Sequence, residues 1–142
     1  MEIINPTCEQ LCDLMCGKAE EDYMEWELKV ELNVKVTGQD IDDILVTAFE
    51  GGITYWCDEV QVKGDYLGEY ASDQVSRGGV VRLHDEDGWH ELNLAKILDG
   101  IKKYLATDNS ILEGKEIDTC QVDADIADSI VQYALFGEIV YG

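Results

Sequence analysis

The sequence of 142 residues is poor in positive charge and in proline. Lysine and arginine together number 10, against 31 aspartates and glutamates, which gives a formal net charge of −21. A field of that sign repels phosphate backbones and anionic lipids, so direct binding to nucleic acid or to a membrane surface is disfavoured. The single proline, Pro6, leaves no proline-rich linker, and we expect one domain over residues 1–142.

Long apolar runs and export signals are also missing. No stretch approaches the ~20 consecutive apolar residues of a transmembrane helix. The start, Met1-Glu2, lacks the basic and apolar leader of a secreted protein. The five cysteines are an odd number, which favours reduced thiols over a disulfide framework. We therefore predict a cytoplasmic protein.

Sequence signatures of catalysis are absent as well. There is no nucleophile elbow, no phosphate-binding glycine-rich loop and no HExxH zinc motif. Carboxylates are so numerous that a close pair of them carries no information about acid–base chemistry. We predict that the protein is not an enzyme and that it binds no cofactor.

Two groups of residues have the composition of metal ligands but simpler explanations. Cys8, Cys12 and Cys16 recur at helical spacing, where cysteine packs as a small apolar side chain, and not in the close pairs of a zinc site. His84 and His90 flank an acidic turn, and hairpin pairing would bring them near each other. An Asp-Gly turn, however, needs no metal to form. We predict no metal site.

Alternation of apolar and polar residues over 24–36 is the strongest structural signal. Seven apolar side chains, from Met24 to Val36, alternate with charged or polar ones, which predicts a long strand that is apolar on one face. The spacing of apolar residues elsewhere predicts helices over 7–17, 40–49, 94–105 and 123–136, and strands over 53–63, 80–83, 89–92 and 138–141. Asn93 and Asp123 are the expected N-caps of the last two helices, and the glycine pair Gly51-Gly52 is the expected stop of the second. We predict an α+β fold with a four- to five-stranded, mostly antiparallel sheet and three to four helices on one face.

Residues 65–79 have neither a strand period nor a helix period. This polar stretch contains two tyrosines, an arginine and three glycines, and the adjacent aromatic residues Tyr55 and Trp56 precede it. Loops on a rigid scaffold are favoured places for binding, and tyrosine, tryptophan and arginine are common contact residues. A covering loop whose aromatic side chains complete the core explains the same composition equally well.

Two stretches carry a resemblance to known sequences: GGITYWC at 51–57 together with residues 66–79, and DSIVQYALFG at 128–137. They resemble a family of small acidic proteins from Firmicutes genomes and their phages. No activity is established for that family, so the resemblance implies no site residues. Its phage association, small size and acidity are similar to those of anti-defence inhibitors such as anti-CRISPR proteins.

Three functional hypotheses follow, and the sequence leaves the oligomeric state open. In the first, the protein inhibits a host defence nuclease by placing an acidic face in a basic, nucleic-acid-binding groove. This requires the carboxylates to gather on one face. The expected partner-binding residues are Glu25, Glu27, Glu31, Asp58, Glu59, Asp85, Glu86 and Asp87.

The alternative is a protein that sequesters a nucleotide signal, with bases stacked on tyrosine or tryptophan and phosphate bound by arginine. The negative field opposes this unless the pocket is locally basic. A third possibility is an accessory protein with a structural role. The expected ligand-binding residues of the second hypothesis are Tyr55, Trp56, Tyr66, Tyr70 and Arg77.

Overall fold

A computed structural model describes residues 24–142. The chain divides after Glu31, and the unit Leu32–Gly142 holds every helix and strand of the described residues. The fold class is α+β, as predicted. The single domain over residues 1–142 is not confirmed. The predicted helix over 7–17, with Cys8, Cys12 and Cys16, lies outside the described residues.

Helix α1, Gly38–Thr47, begins with a capping box. Thr37 Oγ1 accepts from the backbone N–H of Asp40, and a carboxylate oxygen of Asp40 accepts from the N–H of Thr37. Ile41, Ile44 and Leu45 face the core. The helix runs into a π-helical turn, Ala48–Gly52, which confirms the predicted stop at the glycine pair.

The larger sheet has three antiparallel strands in the order β1-β2-β3. These are β1 (Glu59–Lys63), β2 (Val80–Asp85) and β3 (Gly88–Leu92). One face of the sheet buries Val81, Leu83 and Leu92 completely, and the other face is open to solvent. The predicted hairpin around Gly88 is confirmed, whereas the predicted strand over 53–63 is shorter because its first residues form turns.

Two further helices, α2 (Leu94–Thr107) and α3 (Ala124–Phe136), begin at the caps that the sequence predicts. Asn93 accepts from an N–H in the first turn of α2, and Asp123 does the same in α3. The two helices pack closely at Gly100, where a Cβ would lie 2.6 Å from the carbonyl oxygen of Ile130. The close packing therefore depends on the missing side chain.

A second, two-stranded antiparallel sheet pairs β4 (Leu112–Glu113) with β5 (Glu116–Ile117). Lys35 forms an isolated parallel bridge to Glu116, with its N–H 2.7 Å from the carbonyl oxygen of Lys115. The described strands thus number five, but they form two sheets and not one sheet of four to five. Residues 65–79, which have no sequence period, contain two short 3-10 turns, Ala71–Asp73 and Val75–Arg77.

The predicted strand over 24–36 is wrong. Residues 24–37 have no helix or strand assignment apart from the bridge at Lys35. Alternation makes a segment compatible with a sheet, but a strand also requires a partner. The segment 138–141 is likewise not a strand. None of the helices between residues 24 and 142 combines the length and the apolar character that a bilayer crossing demands.

Candidate functional site

Strand register brings predicted partner-binding residues together at one end of the larger sheet. Glu59 of β1 lies opposite His84 of β2, which lies opposite Trp89 of β3. Neighbouring strands are about 4.8 Å apart, so three of them span about 10 Å. Four exposed carboxylates lie at this end, and we call them the acidic sheet end: Asp58, Glu59, Glu86 and Asp87.

Aromatic and cationic side chains lie next to the acidic sheet end, on the open face of the sheet. His84 Nδ1 is 2.7 Å from a carboxylate oxygen of Asp58, and its ring meets Trp89 edge-on at 4.9 Å between centroids. The guanidinium of Arg82 lies over the same indole, 4.7 Å from its centroid. The acidic sheet end therefore adjoins a half-exposed indole.

Asp85 differs from its predicted role, because it is buried and only 2% exposed. One carboxylate oxygen lies 2.9 Å from both His90 Nε2 and the N–H of Asp87, and the other accepts from the Tyr141 hydroxyl at 2.8 Å. Burial by itself raises the pKa of Asp85, but these hydrogen bonds outweigh it and lower the pKa. Asp85 shapes the turn beneath the surface and presents no carboxylate to a partner.

A second buried carboxylate, Asp128 on α3, accepts three hydrogen bonds from side chains. The donors are the Tyr55 hydroxyl at 2.6 Å, Trp56 Nε1 at 2.7 Å and Gln132 Nε2 at 2.9 Å. Burial and the contact with Asp128 raise the pKa of Tyr55 to about 12. Ionising that phenol beside a carboxylate would place two negative charges in contact.

The C-terminal residues connect the two carboxylates. The side-chain oxygen of Gln132 accepts from the N–H groups of Val140 and Tyr141, both at 2.8 Å. The Tyr141 ring stacks on Trp56 at 5.0 Å between centroids and 4° between planes. Since the Tyr141 hydroxyl reaches Asp85, one continuous polar network joins α3 to the hairpin turn.

The predicted ligand-binding residues are not gathered around one pocket. Trp56 is buried and hydrogen-bonded, and the hydroxyl of Tyr55 is engaged by Asp128. Tyr66 and Tyr70 are exposed, and within residues 24–142 no hydrogen bond or ring contact joins them to the other two aromatic side chains.

The arginine assigned to phosphate in that hypothesis makes contacts within the fold. Arg77 donates to the carbonyl oxygen of Asp73 at 2.9 Å, and its guanidinium lies 3.7 Å from Asp42. The nearby loop is organised by the fully buried Gln74, whose side-chain oxygen accepts from the N–H of Leu67 at 2.6 Å. Arg77 therefore reinforces this loop.

The histidines lie on opposite faces of the sheet. His84 pairs with Trp89 on the open face, whereas His90 pairs with Leu83 on the core face. The expectation that hairpin pairing brings the two rings together is wrong for this reason. Among the described residues, no group of three histidine, cysteine, aspartate or glutamate side chains is arranged to hold a metal ion.

Of the cysteines in the described part of the chain, Cys57 is buried and Cys120 is exposed, and both are free thiols. Burial raises the pKa of the Cys57 thiol. A raised pKa keeps a thiol protonated at neutral pH and makes it a poor nucleophile. Cys57 accordingly packs in the core.

The remaining predicted partner-binding residues precede the folded unit Leu32–Gly142. Glu25, Glu27 and Glu31 are exposed, but no strand aligns them along one face. Each is therefore a separate exposed charge.

The buried network is the part of the site that sequence reasoning missed. Asp128 and Gln132 lie four residues apart on α3, and both are buried among apolar neighbours of the same helix. Two polar residues at that spacing, within an otherwise apolar stripe, were the available signal. Their distant partners carry no such signal, because Tyr55 is 73 residues away along the chain.

Comparison of the chain with protein-family models, with curated proteins and with solved structures finds no match. The geometry of the residues is therefore what supports a function.

Proposed function

We propose that the protein acts by binding, and that its acidic sheet end docks against a cationic surface of another protein. The observation that carries the proposal is the register that aligns the start of β1 with the β2–β3 turn. Two pairs of adjacent residues, Asp58–Glu59 and Glu86–Asp87, lie 27 or more positions apart in sequence and thereby present four exposed carboxylates at one end of a rigid sheet. Complementary charge of this kind accelerates encounter and selects the partner.

The absence of local neutralisation supports this assignment. The contacts between carboxylates and lysine or arginine in residues 24–142 are Lys35–Glu116, Lys63–Glu91, Arg77–Asp42 and Lys103–Asp99. None of them involves the acidic sheet end, where a histidine, His84, contacts Asp58 through Nδ1 at 2.7 Å. The charge of the acidic sheet end is therefore available to a partner.

The finer proposal is that the partner is a nucleic-acid-binding protein of host defence and that the acidic sheet end blocks its basic groove. The net charge of −21 and the lack of catalytic motifs support it. The half-exposed indole of Trp89 supplies an apolar contact beside the charges, and tryptophan is a common anchor of protein interfaces. We assign the protein no catalytic role.

Affinity capture from a bacterial lysate at low and at high salt tests the proposal. Partners held by charge elute as ionic strength rises, because the Debye length falls from about 10 Å at 0.1 M to about 3 Å at 1 M. The expected result is a basic, nucleic-acid-binding protein that is retained at low salt and released at high salt. Retention that does not change with salt would contradict the proposal.

Two matched fourfold variants locate the binding surface. The first neutralises the acidic sheet end, and the second neutralises four exposed glutamates elsewhere, so that both change the net charge equally. Exposed pairs contribute about 0.2–1 kcal/mol each, so the loss of four should lower the affinity of the first variant by roughly fourfold or more relative to the second. Equal affinities would show that charge acts without regard to position. The variants are D58N/E59Q/E86Q/D87N and E50Q/E69Q/E113Q/E138Q.

The nucleotide-sequestering alternative receives less support from the geometry. Trp56 stacks on Tyr141, so that face of its indole ring is occupied. A thermal-shift panel of cyclic nucleotides and dinucleotides tests it, because a ligand at 100 times its Kd adds ~2.7 kcal/mol to the free energy of unfolding. An increase in Tm with any member of the panel would favour this alternative over the docking proposal.

A further inference from the structure

Residues 24–32 carry a row of large apolar side chains that are exposed to solvent. Leu28 is 86% exposed and Val30 is 80% exposed, and Met24, Trp26 and Leu32 are also exposed. Their backbone groups make no hydrogen bond to any other described residue. We propose that this segment pairs with the same segment of a second copy of the chain, as two antiparallel strands related by a two-fold axis at Val30.

Charge complementarity selects both the partner and the register. With the axis at Val30, position i of one copy lies opposite position 60 − i of the other, so each pair occurs twice. On the polar face Lys29 then lies opposite Glu31, and Glu27 lies opposite the neutral Asn33. The outermost polar pair is Glu25 with Lys35. Opposite charges therefore meet wherever two charges are paired.

Every neighbouring two-fold register within two residues of this one brings like charges together. A parallel in-register pairing places each charged residue opposite itself. Any antiparallel register in which the numbers of two opposed residues have an odd sum would put apolar residues opposite polar ones. The like-charge pairs are Glu25–Glu31 for an axis at Leu28, Glu27–Glu31 and Lys29–Lys29 at Lys29, Glu31–Glu31 at Glu31, and Lys29–Lys35 at Leu32.

Within residues 24–142, no backbone hydrogen bond occupies the edge that the proposed pairing requires. Along a strand, the N–H and C=O groups of alternate residues point to opposite edges. The N–H of Lys35 bonds to the carbonyl oxygen of Lys115, so the edge used by odd-numbered residues is occupied there. The proposed ladder uses the even-numbered residues, with Val30 bonded to Val30 and Leu28 bonded to Leu32 of the second copy.

Apolar contacts follow from the same register. Val30 lies beside its own counterpart, Leu28 beside Leu32, and Trp26 beside Val34 across the pair. Directly opposed side chains on antiparallel strands lie about 4.5–5.5 Å apart, close enough for these residues to cover part of each other's surface. Exposed apolar strands of this kind are templates for pairing with another chain.

The excess negative charge opposes the association, which gives it a distinctive salt dependence. Two chains of −21 repel each other, and added salt screens that repulsion. We expect a weak dimer that strengthens as salt rises. The docking proposal predicts the opposite effect of salt, because screening weakens the contact between the acidic sheet end and a cationic partner. The two proposals can therefore be refuted separately.

Sedimentation equilibrium of the full chain, from about 10 to about 500 µM, tests the proposal at about 0.05 and about 0.5 M NaCl. The expected mass rises with concentration toward twice the 15.9 kDa of one chain, and it rises further at the higher salt. A monomer mass under all of these conditions would overturn the proposal and leave the segment to a different protein.

A pair of proline variants tests the ladder. Val30→Pro removes an N–H that the dimer uses twice, whereas Glu27→Pro removes an N–H at the opposite edge, where proline is tolerated. We expect the dimer Kd to increase by about tenfold or more for the first variant and by less than about threefold for the second. Equal effects would overturn the assignment. Circular dichroism checks that the fold of both variants is unchanged.

A charge exchange tests the register. Lys29→Glu and Glu31→Lys each create two like-charge pairs across the axis, so each should weaken the dimer, and the double variant should restore it. Glu31→Lys also lowers the net negative charge, and general repulsion alone would then strengthen the dimer. A stronger dimer in that variant, or no restoration in the double variant, would refute pairing about Val30.

Discussion

Replacing Asp128 with alanine is the sharpest test of the buried network. The residue is 8% exposed, and its carboxylate accepts from Tyr55, Trp56 and Gln132. In the variant the indole N–H of Trp56 loses its acceptor in a place that excludes water. The Gln132 amide loses its shortest hydrogen bond but keeps the carbonyl oxygen of Tyr141 at 3.2 Å and the hydroxyl of Tyr55 at 3.4 Å as acceptors. The exposed phenol of Tyr55 has access to solvent, so its hydroxyl can bond to water instead.

The expected loss of stability comes mainly from the orphaned indole donor, with a smaller part from the weaker hydrogen bonding of the Gln132 amide. A buried donor without a partner costs about 1–3 kcal/mol, and relief of repulsion in so acidic a chain offsets a small part of that cost. We expect Asp128→Ala to lower the free energy of unfolding by about 2–4 kcal/mol, or Tm by roughly 10 °C. Asp128→Asn should cost about 1–2 kcal/mol, because its amide oxygen still accepts.

Urea denaturation followed by circular dichroism and by tryptophan fluorescence measures the effect. Asp125→Ala is the matched control, since it removes an exposed carboxylate from the first turn of the same helix. The control reports the change in helix dipole interaction and in general repulsion. If the Asp128 variant lies within about 1 kcal/mol of the control, the network does not stabilise the fold.

Three further predictions concern packing and pH. Gly100→Ala should cost about 2 kcal/mol in urea denaturation because its Cβ would lie 2.6 Å from the Ile130 oxygen, whereas Gly51→Ala meets open space and should be nearly neutral. The pKa of Asp85 is lower in the folded chain than its ordinary 3.8, so its contribution is present above that pH and lost as pH falls through the folded pKa; Asp85→Asn should flatten the acid limb of stability against pH. Contact with Asp85 raises the pKa of Tyr141 from 10.0 to about 12. The contribution of this phenol to stability is therefore full below pH 10 and lost as pH rises toward 12, and Tyr141→Phe should flatten the alkaline limb of stability against pH.

Local signals predicted the elements that local contacts build. Asn93 and Asp123 were predicted as helix caps, and both side chains accept from the first turn of their helices. The hairpin of β2 and β3 follows from alternating residues on either side of a turn that contains Gly88, whose φ of 122° suits glycine. In these elements the decisive contacts lie within a few residues.

The prediction for residues 24–36 was wrong for the opposite reason. Period-2 alternation describes which side chains would share a face if the segment were paired, and it contains no information about the pairing strand. Only at Lys35 does the described chain supply one, through the backbone of Lys115. A strand signal without a partner is therefore better used as a prediction of association.

The candidate site was predictable in composition but not in assembly. Glu86 and Asp87 belong to a turn that the sequence indicates, but the alignment of Asp58 and Glu59 with that turn depends on the register of β1 against β2. The buried carboxylate of Asp85 accepts a hydrogen bond from Tyr141, which lies 56 residues away along the chain. Sequence alone did not separate that buried carboxylate from its exposed neighbours.

The charge excess has two consequences of opposite sign, and this makes ionic strength the most informative variable. A cationic partner is attracted by the acidic sheet end, and screening weakens that attraction. A second copy of the chain is repelled by the same net charge, and screening favours its approach. Added salt cannot both strengthen and weaken one contact. A partner that elutes as the salt concentration rises is therefore held by a contact different from the dimer contact around Val30. Conversely, a dimer that becomes stronger as salt rises does not depend on the carboxylates of Asp58 or Glu86. Neutralising the acidic sheet end should therefore leave the dimer intact or strengthen it.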